Sequence, residues 1–399
     1  MRRPGRAVVV GAGVVGLSTA WFLQEHDIEV TVVDQQGVAA GASWGNAGWI
    51  TPGWAVPLTE PAALRDGVAA MLAPNAPFFA VSPRSGPGTW RFLARLAAHC
   101  TPRRWARARL MLAALNDQAF EAYDKLARAG VAATPVDKAL IAAFTKPEHA
   151  SHLYADDDIE ALSLAEARSL VPLLSAEISH AVRINGPRYL QPARFVEALA
   201  TSFAQRGGVI AVGRVIGLDR AGQVVTESGT LRADVAVIAT GTAIGRLARP
   251  LGVRVPVHAG RGYSFTVSTD LPNDHPIYLP HERITCTPDG GRVRLTSTME
   301  FGPPSAASRA RRIDAIVRRA SPLLTGIDWT QRNDEWSGDR PVTSDGLPII
   351  GATRIPNVYV AGGHAMWGMT QGPASGQLLA RFVAAGTLPD VLKSFDPLR

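Results

Sequence analysis

The feature that most constrains this 399-residue chain is a glycine turn close to its start. Gly11-Ala12-Gly13-Val14-Val15-Gly16 follows a short apolar run, Ala7 to Val10. It opens a segment from Leu17 to His26 in which Leu17, Ala20, Trp21 and Leu23 recur at helical spacing. A second apolar run, Ile28 to Val33, then ends in Asp34. Strand, glycine turn, helix, strand and acid, in that order, spell a dinucleotide-binding βαβ unit. Gly11 permits the tight turn, Gly13 lets a pyrophosphate reach the backbone, and Gly16 lets the helix lie close on the strand. The start of the helix offers free N–H groups and the positive end of its dipole to phosphate. Asp34 is placed to accept hydrogen bonds from a ribose.

Downstream, Thr89 to Ala129 reads as helical, with Phe92, Leu93, Leu96, Leu110, Leu112, Leu115, Phe120 and Leu126 as core positions. Pro192 to Gln205 is another helix, ended by Gly207-Gly208. Val209–Val212, Val215–Leu218 and Val224–Thr226 read as short strands. Asp234 to Thr240 is almost wholly apolar, as a buried parallel strand is, and runs into Gly241. Tyr263 to Val267 alternates like a strand, and Arg283–Thr287 and Val293–Met299 flank Pro288-Asp289-Gly290-Gly291 as a hairpin. Asn357 to Ala361 is a last strand, followed by Gly362-Gly363, a loop through Gly368 and a helix from about Pro373 to Ala385. Two βα units thus stand at opposite ends of the chain with an antiparallel block between them. A discontinuous cofactor domain carrying an insertion explains that order.

Composition excludes the other classes. Hydrophobic residues are 46% and charged ones 19%, an ordinary globular balance that rules out disorder, collagen and coiled coil. Cys100 and Cys286 form no metal framework. The net charge of +7 raises the question of nucleic acid or an anionic membrane face. With only Lys125, Lys138, Lys146 and Lys393 as lysines, the excess is nearly all arginine, as codon usage produces in an alanine-rich chain. The cluster Arg309, Arg311, Arg312, Arg318 and Arg319 alternates with Ile313, Ile316 and Val317 as the solvated face of an amphipathic helix. No nucleic-acid partner is expected, nor a transmembrane span, while peripheral contact with a membrane stays open. Met1-Arg2-Arg3 mimics the start of a secretion signal, but the apolar run reads as a first strand and no small-residue cleavage site follows. The expected location is cytoplasmic.

The fingerprint alone does not separate NAD from FAD. A full G-x-G-x-x-G occurs once, whereas a flavoenzyme that also binds a nicotinamide usually carries two. The C-terminal strand, glycines and helix would aim a second helix N-terminus at something anionic, and a reduced flavin carries negative charge at N1 and the C2 oxygen.

At these residues the chain resembles the FAD-dependent D-amino-acid dehydrogenase group of the glycine/D-amino-acid oxidase family. The resemblance runs through Gly11–Gly16 with Asp34, Asn46-Ala47-Gly48, Ala239-Thr240-Gly241, Gly262-Tyr263-Ser264, Arg340-Pro341-x-x-x-Asp345-Gly346-x-Pro348 and Gly363-His364-x-x-x-Gly368-x-Thr370. It implies an α/β fold: a discontinuous Rossmann-like FAD-binding domain (1–50, 186–250 and 339–399) and an inserted α+β substrate domain (51–185 and 251–338) with a mixed or antiparallel sheet. By the same resemblance Gly11, Gly13, Val14, Val15 and Gly16 would hold the pyrophosphate, and Asp34 and Gln35 the adenosine ribose. Ala42, Ser43, Asn46, Ala47 and Gly48 would line the ribityl chain and flavin edge, and the Val215 backbone would meet adenine. Thr240 and Gly241 belong to the cofactor set, and Gly363, Gly368, Met369 and Thr370 to the pyrimidine end of the flavin.

The implied chemistry is hydride transfer from the α-carbon of an amino acid, most simply a D-amino acid, to flavin N5, giving an imine that hydrolyses to a 2-oxo acid and ammonia. Arg340 matches the family's carboxylate-gripping arginine, and a bidentate guanidinium suits that task. Tyr263 is similar to the tyrosine of the family's Lys-Gly-Tyr stretch; it either donates its hydroxyl near the substrate or packs on the sheet. Arg261 stands where many relatives have lysine. His364 is expected to shape a turn, and Trp49, Trp54, Trp336 and Trp367 to wall an apolar pocket or join the core. Relatives that bind flavin covalently use a histidine near the N-terminal motif or a cysteine near the arginine loop; here Trp44-Gly45 precedes Asn46 and neither cysteine lies near Arg340, so the resemblance implies non-covalent FAD. A secondary-amine oxidase using O2 and a flavin-binding subunit without amine chemistry are the alternatives. The electron acceptor, whether quinone, another carrier or O2, stays open.

Overall fold

The computed structural model describes residues 4–62, 64, 67, 79–82, 84–147 and 158–399, so Met1-Arg2-Arg3 lies outside the described residues. The apolar runs become the centre of a six-stranded sheet. Its order is Val209–Val212, Glu29–Asp34, Arg6–Val10, Val235–Ile238, Val358–Gly362, Ile349–Ala352. All neighbours are parallel except the last pair. Ala7–Val10 and Val235–Ile238 are buried throughout, which is why those strands read as unbroken apolar runs. The helix Val14–Gln24 buries Leu17, Ala20, Trp21 and Leu23 against this sheet. Each fully buried leucine there contributes roughly 1.5–3 kcal/mol. The last helix, Gly368–Ala385, lies alongside it so closely that a Cβ on Gly376 would fall 2.6 Å from the Thr19 nitrogen.

A second, nine-stranded sheet is built around three long antiparallel strands, Ile327–Thr343, Val257–Thr269 and Arg292–Phe301. The strand Ile284–Pro288 joins the last of these as the expected hairpin. The sheet is mixed, because Ile277–Leu279 runs parallel to Leu140–Phe144 and Arg292–Phe301 to Phe79–Val81. The helix Ala306–Ala320 covers one face, where Ile313 and Ile316 meet Phe265 and Val267. The other face reaches the loop that leaves the six-stranded sheet: Ser264 Oγ donates to the Gly45 carbonyl (2.9 Å) and Thr287 Oγ1 to that of Ala47 (2.6 Å). The two sheets therefore meet over residues 45–47, and the site lies at that seam.

Three expectations need correction. The last helix begins at Gly368, not near Pro373, and Pro373 sits inside it. As the sixth residue it forgoes the bond to the Met369 carbonyl, which instead accepts from the Tyr123 hydroxyl at 2.7 Å. Arg312 is not solvated: it is 8% exposed and its guanidinium lies 3.4 Å from the buried Glu300 carboxylate. Leu110 is not core, being 72% exposed on the helix Pro102–Asn116. The helical region itself resolves into Pro87–His99, Pro102–Asn116 and Ala119–Arg128.

Candidate active site

A cavity of about 510 Å³ runs along the seam. At one end, Gly11, Gly13, Val14 and Val15 present the start of the first helix to it. Gly11 has φ +113°, and a Cβ there would fall 2.4 Å from the Ala239 carbonyl oxygen, so only glycine makes this turn. Gly16 does not line the cavity; it faces the turn, where a Cβ would lie 1.9 Å from the Gly11 carbonyl oxygen. Ser43 lines the wall beside Ala42 and Asn46, and its Oγ accepts from the Val14 N–H at 3.0 Å.

Asp34 and Gln35 also line this end, as does Val215. The Asp34 carboxylate already accepts from the backbone N–H groups of Ala12 (2.9 Å), Gln36 (2.8 Å) and Gly37 (3.1 Å). It thus fixes the turn as well as facing the cavity. Asp34→Ala is expected to weaken FAD by roughly ten- to a hundred-fold, one charge-assisted hydrogen bond's worth. Loss of the three backbone bonds should lower the Tm of the cofactor-free chain as well. Unchanged affinity in a FAD titration would remove Asp34 from the ribose site.

In the middle of the seam stand Thr240 and Gly241, with Gly368 and Met369 at the start of the last helix. The Thr240 hydroxyl is buried with no partner, as is Nδ1 of His364, which also lines the cavity. Buried polar atoms need partners. Two orphaned polar atoms and two helix N-termini whose N-cap residues supply no capping side chain, on one cavity, fit a polar, anionic cofactor. Ala47, Gly48, Gly363 and Thr370 stand behind the wall. Ala47 and Gly48 give their carbonyls to Thr287 and Leu190, and Thr370 Oγ1 donates to the Trp49 carbonyl at 3.1 Å. Gly363, at φ +78°, makes the turn into His364.

His364 Nε2 is 2.8 Å from Ser375 Oγ, tying the turn to the last helix. Burial pushes its pKa down to about 4. The unfolded chain therefore binds a proton between its ordinary pKa near 6.5 and 4 that the folded chain does not, so stability falls as pH drops through that window. The loss should reach about 3 kcal/mol, and His364→Gln should flatten this part of a urea-stability profile. An unchanged profile would show that another group carries it.

From the second sheet Arg340 lines the cavity, 9% exposed. One guanidinium nitrogen donates to the Thr298 carbonyl at 2.7 Å, and no carboxylate among the described residues pairs with it. Burial pushes its pKa down to about 10, still far above neutrality, so the site holds a dry, uncompensated cation. Gly262 forms its floor: a Cβ there would stand 2.1 Å from one guanidinium nitrogen and 2.5 Å from the other. Such a cation calls for an anionic ligand, and its two-pronged geometry suits a carboxylate.

Tyr263 is not at this site. Along its strand Gly262 and Ser264 face the seam, while Tyr263 points to the opposite face among Phe265, Ile313 and Ile316. Its hydroxyl donates to Glu300, and burial with that bond pushes its pKa up to about 12. Glu300 also accepts from Ser308 Oγ at 2.8 Å and pairs with Arg312, so Tyr263 belongs to a buried polar lock beneath the sheet. None of the four tryptophans lines the cavity directly. Trp336 lies just behind it, covering Gly45 and Gly338, where a Cβ would fall 2.2 Å and 1.8 Å from its ring. Trp49 and Trp54 pack around Tyr278, and Trp367 Nε1 donates to the Val56 carbonyl (2.7 Å).

Among the cavity residues that sequence reasoning missed, Arg246 and Asp339 are charged, and Arg261 was given no role. Arg246 stands at the mouth by the nucleotide end, five residues after Gly241, with no motif to mark it. Asp339 beside Arg340 pairs with Arg261 across neighbouring strands at 2.7 Å. That cross-strand pair neutralises Arg261, whereas Arg340 has no carboxylate partner among the described residues.

The sequence matches the model of a family described as FAD dependent oxidoreductase over residues 6–382. It is 29% identical to a D-amino acid dehydrogenase of Cereibacter sphaeroides, covering 97% of this chain and 93% of that one. A D-amino acid dehydrogenase of Methylobacterium radiotolerans is 28% identical, with 96% of each covered. Among solved structures, glycine oxidase from Geobacillus kaustophilus superposes with a TM-score of 0.71 at 23% identity, covering 100% of this chain and 99% of that one. The glycine turn, the paired helix N-termini and the family match converge: the chain belongs to the FAD-dependent oxidoreductases of this family.

Proposed function

We propose that the chain oxidises a free amino acid, most simply a D-amino acid, at its α-carbon. The reading rests on one observation above all: Arg340 is a buried guanidinium on the cavity wall with no carboxylate among the described residues to neutralise it. A substrate carboxylate completes it. Two-point contact fixes the plane of the carboxylate and the direction of its bond to the α-carbon, and so holds the α-carbon at a set place in the cavity. Bound FAD supplies the hydride acceptor at N5. The chain's own work is then to bind, orient and keep water out. Gly262 and Thr298 seat the guanidinium, and the Arg261–Asp339 pair borders it without competing for the substrate's charge. Both cysteines are buried away from the cavity lining, in keeping with cofactor held without a thioether link. The high similarity in length and coverage to relatives named D-amino acid dehydrogenases supports the D configuration.

The test is anaerobic mixing of the FAD-loaded enzyme with D-amino acids, L-amino acids and N-methyl amines, following bleaching of the flavin absorbance. Fast bleaching by D-amino acids with no response to their L forms is the expected result. Preference for N-methyl amines would move the enzyme to secondary-amine oxidation.

A further inference from the structure

The backbone that seats the Arg340 guanidinium is held in an unusual conformation. Thr298, whose carbonyl accepts from Arg340 at 2.7 Å, has φ +70° and is buried. A β-branched residue avoids the left-handed region, and such a conformation persists only where its surroundings over-determine it. Strand register places it there. Tyr263 opposes Ser297 and Arg261 opposes Glu300, so Thr298 and Met299 both fall opposite Gly262 in a β-bulge. Both flanks of the bulge are tied down. Before it, Ser297 Oγ donates to the Arg283 carbonyl at 2.8 Å. After it, the buried Glu300 carboxylate accepts from the Tyr263 hydroxyl, from Ser308 Oγ at 2.8 Å and from Arg312 at 3.4 Å. The Tyr263–Glu300 bond therefore runs diagonally across the register shift, from one strand to the other. None of Tyr263, Glu300, Ser308 and Arg312 lines the cavity.

We propose that this bulge and the polar lock behind it position the guanidinium for carboxylate binding, with Tyr263 and Glu300 as positioning residues that act through Thr298. The inference rests on the reading of Arg340 as the partner of a substrate carboxylate. The lock holds the strained Thr298 in place. Its carbonyl then takes one guanidinium nitrogen and limits rotation of the planar fork, so that the remaining N–H groups meet the ligand at a set angle. Without the Tyr263–Glu300 bond, Thr298 relaxes towards an ordinary strand conformation, its carbonyl turns, and the guanidinium loses its seat.

Propionate, which is D-alanine without its amine, probes the grip with no turnover. Its affinity for the FAD-loaded enzyme would be measured by calorimetry for wild type, Arg340→Ala, Tyr263→Phe and the double variant Tyr263→Phe/Thr298→Gly, with Tm and flavin content followed in each. Tyr263→Phe should keep its flavin and bind propionate roughly ten-fold more weakly, since a two-point contact is sensitive to a shift of a fraction of an ångström. Adding Thr298→Gly should recover most of that loss, because glycine adopts positive φ without strain and the bulge then depends less on the lock. A bond that only stabilised the fold would lower Tm and leave propionate affinity alone. If Tyr263→Phe does not fold, Ser308→Ala, which removes a different bond to Glu300, takes its place with the same expected loss and recovery. Wild-type affinity in the single variant, or no recovery in the double variant, overturns the positioning role while a loss in Arg340→Ala leaves the carboxylate reading standing. No binding by the wild type, or undiminished binding by Arg340→Ala, overturns that reading and this inference with it.

Discussion

Replacing Arg340 by Ala is expected to lower kcat/KM for a D-amino acid by roughly two to four decades while leaving flavin content near normal. The guanidinium is buried and has no carboxylate partner among the described residues, so on the proposed reading the substrate carboxylate is its counter-ion. Removing one partner of a buried pair strands the other charge, at about 3–5 kcal/mol. Because Arg340 comes from the second sheet and not from the glycine turn, FAD affinity should hardly move. Arg340→Lys should recover only part of the loss, since an ammonium cannot reproduce the planar two-pronged grip. Steady-state kinetics with flavin quantified by absorbance make the comparison.

A second substitution reaches the same group without touching its charge. Gly262→Ala puts a methyl group where the guanidinium now lies, 2.1 Å from one of its nitrogens. Gly262 is in an extended strand with no positive φ, so alanine is acceptable to the backbone. The far end of a long side chain can swing aside, so the fold should survive. What moves is the clamp. A displacement of about 1 Å at the reacting geometry costs on the order of a hundred-fold in rate. The expected outcome is a kcat/KM loss of roughly a hundred-fold or more with Tm and flavin content close to wild type. Wild-type kinetics for Gly262→Ala would mean that the guanidinium position seen here is not the catalytic one.

The pattern of what the sequence disclosed follows from how local each determinant is. The glycine turn, its helix and Asp34 lie within one short stretch, and the contact that demands Gly16 is with Gly11 itself, although Gly11 also answers to Ala239 on another strand; the structure gathers the turn and Asp34 at the cavity. The buried parallel strands were legible because burial on both faces leaves no alternation to decode. Tyr263 shows the opposite case. It neighbours Gly262 in sequence, but strand alternation turns it to the other face, and its real partner, Glu300, is 37 residues away. Period-two arguments fix which residues share a face, not which face meets the cofactor. Arg312 read as solvated for the same reason, since helical spacing cannot reveal a buried carboxylate on another element. The Arg261–Asp339 pair and the Gly262 seat arise from strand register between segments about 80 residues apart, which no local pattern encodes. Leu110 failed differently: its leucine stripe was counted as core, but its side of the helix faces solvent between arginines.

The central claim, that Arg340 recognises the α-carboxylate of the substrate, is tested most directly by crossing substrate and enzyme truncations. Anaerobic flavin-bleaching rates would be measured for a D-amino acid and for the amine that lacks its carboxylate, each with wild type and with Arg340→Ala. If the clamp is real, the wild type favours the amino acid strongly, and Arg340→Ala nearly abolishes that preference because the amine loses little on mutation. Equal losses for both compounds would place the arginine in a structural role and contradict the assignment.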